Sequence, residues 1–158
     1  MTRTELETRI VKETRSRFRR YVVKGHVQRK GRIFLSVKKD GILEILRFLD
    51  KNFDLNHPVS VTGTDMLRDR LFELVYHVSS VSNKVLLTMK TQVPRDDPKV
   101  PSIISVLPGA DWHEREMHEM LGVNFDGNPN VGIRVLLPED WDEGYPLRKD
   151  YKLRKWTD

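Results

Sequence analysis

The sequence predicts an α+β fold: a mainly antiparallel or mixed sheet with packed helices, followed by an extended C-terminal arm. Three observations carry that expectation. Apolar residues recur at i, i+3, i+4 and i+7 over 42–49, a helix period, and alternate over 71–79, a strand period. Two helical patterns sit beside a strand-rich middle instead of alternating with every strand, which favours antiparallel pairing. Beyond Leu121 neither period persists, yet large apolar side chains continue.

Taken in order, Thr4 is placed to cap a first helix, with Glu7 three residues on as the other half of a capping box. Leu6, Ile10 and Phe18 line one side of it. Segments 21–27 and 32–37 read as strands joined by the polar turn 28–31. Asp40 is the expected cap of a second helix whose stripe is Ile42, Ile45, Leu46 and Leu49, ended by the region 52–58. A short strand at 59–62 follows, then 71–79, then 85–91. Phe72, Leu74, Tyr76 and Val78 all point to one face of the second of these. These elements define a sheet domain over 1–93.

Residues 94–121 are a connector and a last helix. Pro94, Pro98 and Pro101 stiffen the connector, because each fixes φ and lacks an N–H. The helix opens at Asp111, with Glu114 completing a capping box and Arg115 beside it. At 100° per residue, Trp112, Met117, Met120 and Leu121 share one arc, the expected buried side. Glu116 falls inside that arc, so it calls for a cation, with Arg134 and Arg148 as candidates within the chain. The run HEREMH separates His113 and His118 by five positions, about 140° around a helix, whereas a zinc pair uses four. We therefore expect no metal site and no catalytic residue there.

Residues 122–158 form the arm. They carry Phe125, Val131, Ile133, Leu136, Leu137, Trp141, Tyr145, Leu147, Tyr151 and Trp156, a content that a disordered tail lacks. Trp141, Tyr145, Arg148 and Tyr151 are residue types that dominate interface energetics, and Pro146 restricts the chain between them. The expected partner-facing set is Phe125, Arg134, Trp141, Tyr145, Pro146, Leu147, Arg148, Asp150 and Tyr151.

Composition removes several function classes. The 158 residues contain no cysteine, which rules out disulfides, thiolate-held clusters and cysteine nucleophiles within the chain. The apolar runs at 85–89 and 103–107 fall far short of the ~20 residues of a membrane span. The run Gly127–Gly132 lacks the Lys and Ser/Thr of a phosphate loop. Net charge is +5, with 13 of the 28 Lys/Arg and 4 of the 23 Asp/Glu in residues 1–40. That basic start suits nucleic acid, anionic lipid or an acidic protein, but no aromatic–basic interleaving supports nucleic acid.

The strand FELVYHVSS, the segment RDDPKVPSIISVLPGADWHEREMHEMLGVNFDGNP and the ending LLPEDWDEGYPLRKDY together resemble the NuoC-type family of complex I, its "30 kDa" subunit. The resemblance implies a non-catalytic, cofactor-free structural subunit in the peripheral arm of a membrane-bound, ion-translocating oxidoreductase. The electron donor would be NADH or F420H2. It further implies docking on the hydrogenase-like large (D-type) subunit near the quinone site, beside the iron–sulfur B-type subunit. Iron–sulfur clusters and a flavin or F420 would then belong to other subunits. The location implied is the cytoplasmic face of the membrane, reached only through the complex. The alternatives are the equivalent subunit of an energy-converting [NiFe] hydrogenase and, from another class, a nucleic-acid-binding module.

Overall fold

A computed structural model describes residues 4–153. Trp156, counted above with the arm, lies outside the described residues.

Helix α1 (Glu5–Arg17) forms without the expected capping box: Thr4 makes no side-chain cap. Glu7 instead turns inward, and its Oε1 accepts a hydrogen bond from the Gly31 N–H, pinning the helix to the first hairpin turn. Ile10 and Phe18 are buried as their spacing predicts. Strands β1 (Val22–Arg29) and β2 (Arg32–Val37) form that hairpin, antiparallel. Asp40 does not cap helix α2 (Ile42–Phe53); it lies in a 3-10 turn at Lys39–Gly41 that feeds straight into the helix. All four stripe residues, Ile42, Ile45, Leu46 and Leu49, are fully buried. Each such burial stabilises by about 2 kcal/mol, which is why an isolated 12-residue helix becomes a fixed one. Asp54 ends it in the left-handed conformation.

Strand β3 (His57–Met66) is much longer than the four residues its pattern suggests. Gly63 and Asp65 break the apolar alternation, and both have tertiary reasons to be there. A Cβ at Gly63 would lie 2.6 Å from Leu121 Cδ1, so glycine lets the last helix approach this strand without displacing that side chain. Asp65 is a buried carboxylate held by Arg95. Strands β4 (Leu71–Ser80) and β5 (Val85–Pro94) complete the sheet, with Phe72, Leu74, Tyr76 and Val78 all buried.

The sheet order is β1-β2-β5-β4-β3. All neighbours are antiparallel except β2 and β5, which run parallel, so the sheet is mixed. Helix α1 lies against β1 and β2; helix α3 (Asp111–Leu121) lies against β3, at the other edge. One apolar cluster joins the helices to the sheet. The opposite sheet face is mixed: the Lys90–Glu73 ion pair and a Ser60–His77 hydrogen bond lie on it beside Phe34, Val75 and Leu86.

The connector contributes a short strand, β6 (Lys99–Pro101), which pairs in parallel with β7 (Asn124–Asp126). The first residues past α3 therefore return to the body instead of leaving it. Val123 and Phe125 are inside the chain's own core, Phe125 at 1 % exposure. The expectation that Phe125 faces a partner is thus corrected: the β6–β7 pairing carries its ring inward. Asn128, just past β7, is buried too.

Candidate functional site

The site is built on α3, which buries polar residues that the helical wheel leaves outside its apolar arc. Gly122 stops the helix at φ +76°, the left-handed position that glycine takes without strain. Met117, Met120 and Leu121 are buried as expected, but Trp112 is 62 % exposed. In place of Trp112 the helix buries Glu114, Arg115 and Glu119. A buried charge needs partners, and each of the three finds them in a neighbouring loop.

Glu114 is 0 % exposed. Its Oε2 accepts hydrogen bonds from Ser102 Oγ at 2.6 Å and Asn128 Nδ2 at 2.9 Å, and its Oε1 accepts one from the Ile103 N–H at 2.7 Å. Glu114 is therefore no capping residue. It joins the connector, the helix and the root of the arm at one point. Asp111, the other expected cap residue, is the first helical residue and accepts from Asn130 Nδ2. Burial pushes the Glu114 carboxyl above the ordinary 4.5; its three donors oppose the rise and the nearby Asp111 adds to it. The folded state thus keeps this proton to higher pH than the unfolded chain does. Stability from this group is complete below about 4.5 and is lost as pH rises through the raised folded value. Glu114→Gln removes the titration. Thermal melts across this window should therefore show the wild type losing Tm relative to Glu114→Gln as pH rises; parallel curves would refute the assignment.

Arg115 donates from Nε to the Ile133 carbonyl and from a terminal nitrogen to the Arg134 carbonyl, both at 3.0 Å. Its guanidinium also lies 4.6 Å from the Trp112 ring centroid, so the exposed indole covers it. Glu119, 3 % exposed, accepts from three successive backbone N–H groups, those of Val135, Leu136 and Leu137, at 2.9 to 3.2 Å. Arg115 and Glu119 together hold both senses of the arm backbone, carbonyls by the cation and amides by the carboxylate. Glu116, the predicted paired acid, is half-buried and has no ion pair among the described residues. The true buried acids lie two positions before it and three after. His118 closes the helix by donating from Nδ1 to the Val123 carbonyl, and among the described residues no cluster of acids and histidines is arranged to hold a metal ion.

The distal arm folds back on the same helix. The Leu147 N–H donates to Met120 O, and Arg148 Nε donates to Leu121 O at 2.7 Å. The Arg148 guanidinium lies 4.3 Å from the Tyr145 ring centroid and 5.3 Å from that of Phe72. Both side chains close over Gly122, where an added Cβ would meet Tyr145 Cζ at 2.5 Å. Asp150 pairs with Arg95, which also holds Asp65, and the Lys149 N–H donates to Asp65. The Arg95 hydrogen bond holds the Asp150 carboxyl below its ordinary 3.8. Arg134 donates to the Trp141 carbonyl, and Trp141 Nε1 to that of Gly144, so both shape the arm itself. Pro146 and Tyr151, in the same arm, are half-buried. Burial, then the Glu143 carboxylate, raises the Tyr151 hydroxyl.

What remains outside is apolar. Leu136 is 61 % exposed, Ile133 57 %, Leu147 51 % and Tyr145 36 %. A recess of about 320 Å³ opens between α3 and the arm, walled by Ile133, Trp141 and Tyr145, with His118 and Glu119 at its base. This is a shaped, rigidly held surface with apolar anchors and a polar floor. Among the described residues no helix is long and apolar enough to cross a membrane.

Residues 35–157 match the family model described as respiratory-chain NADH dehydrogenase, 30 Kd subunit. The C subunit of NADH-quinone oxidoreductase from Roseiflexus sp. strain RS-1 is 39 % identical over 132 residues, 82 % of this chain and 75 % of the relative. The C subunit of F420H2 dehydrogenase from Methanosarcina mazei is 34 % identical over 143 residues, 90 % of each chain. The C/D subunit of NADH-quinone oxidoreductase from Serratia proteamaculans is 36 % identical over 97 % of this chain, which spans 27 % of that longer protein. Among solved structures, a chain of the membrane-bound sulfane sulfur reductase, an archaeal respiratory membrane complex, matches with a TM-score of 0.81 and 30 % identity, covering 92 % of this chain and 85 % of the other. With its mixed sheet, three helices and clamped tail, the chain belongs to the 30 kDa (NuoC-type) family, whose members are subunits of multisubunit oxidoreductases.

Proposed function

We propose that this chain is a non-catalytic structural subunit in the peripheral arm of a membrane-bound, ion-translocating oxidoreductase, and that its C-terminal arm docks on the hydrogenase-like D-type subunit near the quinone site. The observation that carries the reading is the exposure of Ile133, Leu136, Tyr145 and Leu147 on a backbone that Arg115, Glu119 and Arg148 hold fixed. A preorganised apolar surface binds with little ordering cost. Fusion of C and D regions in the Serratia relative supports the choice of partner, since fused chains keep their two parts at high effective concentration. The iron–sulfur B-type subunit is the second expected neighbour, and clusters with a flavin or F420 belong to other chains. The complex places this subunit at the cytoplasmic membrane face. A host complex whose electrons end on a sulfur compound is a second reading, favoured by the 30 % identity to a sulfane sulfur reductase chain.

The test is purification in mild detergent through a tag on this chain, with mass spectrometry of the companions. D-type and B-type subunits should appear in equal amounts with it. Recovery as a monomer without companions would end the proposal.

A further inference from the structure

Helix α1 and strand β1 enclose a groove of about 870 Å³ at the sheet edge away from the arm. Val11, Val22 and Val27 supply its apolar groups, while Lys12, Arg15 and Arg19 line it with charge. Thr8, Lys12, Arg15 and Ser16 fall at spacings of three and four, so they form one stripe about 12 Å long down the helix, and Arg19 extends it in the turn past the helix end at Arg17. We propose that this groove binds an acidic peptide segment of a neighbouring subunit, a contact separate from the docking of the arm.

The contrast among cations in this region points to that occupant. Arg9 is paired with Glu13 on the same helix. Arg17 lies over Phe18 and Phe48, and Arg20 reaches Glu44 and the Tyr21 ring. Lys12, Arg15 and Arg19 have no ion pair among the described residues. Like charges stacked three and four apart on a helix repel one another. Lys12 and Arg15 sit three apart on α1 with Arg19 just past its end, no ion pair among the described residues neutralises any of the three, and opposite charge from outside offsets their repulsion. The valines decide what kind of anion. They lie between helix and strand, where a narrow chain reaches them and a flat bilayer surface does not. Among the described residues no aromatic ring lines the groove to stack a base, as single-stranded nucleic acid binding uses. Strand β1 has register shifts at Val22/Lys24 and Val27/Arg29, which interrupt an even hydrogen-bonding edge. The occupant is therefore held by carboxylates and apolar side chains along α1, and not as an added strand.

The experiment uses the intact complex. A photo-reactive benzoylphenylalanine replaces Ser16, the complex is purified and irradiated, and the adduct is sequenced. The expected result is one cross-link to a neighbouring-chain segment in which Asp and Glu clearly outnumber Lys and Arg. The triple variant Lys12→Glu/Arg15→Glu/Arg19→Glu should lower the cross-link yield at least tenfold, while Lys12→Arg/Arg15→Lys/Arg19→Lys keeps it. An adduct with lipid or nucleic acid, an adduct with a neutral or basic segment, or no adduct in an intact complex would each overturn the proposal, as would a yield insensitive to charge reversal. The wild-type adduct decides even if the reversed triple fails to assemble. Because the proposal rests on the chain working within a complex, failure to recover any complex sinks both readings; an intact complex with the wrong adduct sinks only this one.

Discussion

Replacing Ile133, Leu136 and Leu147 together by Glu should abolish recovery of the complex while leaving the isolated chain as stable as before. The three side chains are more than half exposed, so the folded chain loses no core contact when they change. Surface substitutions of this kind stay within about 0.5 kcal/mol each. Their backbone contacts also survive, because Arg115 and Glu119 hold main-chain groups at 133–137 and the Leu147 N–H holds Met120 O. At an interface the same changes are severe. Each aliphatic side chain lost from a buried contact costs about 1.5–3 kcal/mol, and each carboxylate buried without a partner adds more. The combined loss exceeds about 4 kcal/mol, a thousandfold or more in affinity. Co-purification of the D-type subunit with the triple variant reads the first effect, and thermal melting of the isolated chain reads the second. Retained co-purification would show that the partner binds elsewhere. A collapsed Tm would show that these side chains serve the fold.

The sequence disclosed those parts of the molecule where a periodic pattern meets a single apolar environment. The stripe of α2 and the inward row of β4 are such cases, and every residue in them is buried. It failed at β3 because Gly63 and Asp65 answer to Leu121 and Arg95, which are remote in the chain. The parallel β2–β5 pairing left no local trace either, since period alone does not report a strand's direction. The helix wheel of α3 misled most. It assigns the core to Trp112 and Glu116 and leaves Glu114 and Glu119 outside, yet those two are buried because irregular loops bring them donors. A signal was present: a Gly/Pro-rich stretch with no ladder of its own leaves main-chain N–H groups that need acceptors, and α3 holds the nearest carboxylates. The anchors Arg148 and Tyr145 were legible by residue type, but their first contacts are Leu121 and Gly122 of the same chain. The arm is thus tied to its own body and shows its remaining apolar groups outward.

The largest loss of stability should come from Glu114→Ala. The substitution removes one carboxylate and orphans three donors at once: the Ser102 hydroxyl, the Ile103 N–H and the Asn128 amide, on residues that are each at least 94 % buried. An unsatisfied buried donor costs about 1–3 kcal/mol. Water entering the gap recovers part of that cost, so a net loss of roughly 3–5 kcal/mol is expected. The position matters as much as the count. Ser102 and Ile103 follow directly on β6 and Asn128 closely follows β7, so the substitution loosens both strands and frees the root of the arm. Chemical denaturation should give a lower midpoint with unchanged slope. Amide exchange should accelerate first at 99–103 and 123–128 while the α2 stripe stays protected. Glu119→Ala is the natural contrast. Its three donors lie on half-exposed or exposed residues, so water replaces the lost carboxylate and the loss is smaller, confined to exchange at 133–137. If Glu114→Ala proved no worse than Glu119→Ala, the buried hub would not be what joins the arm to the sheet, and the rigidity on which the docking surface depends would have to come from Arg148 and Arg95.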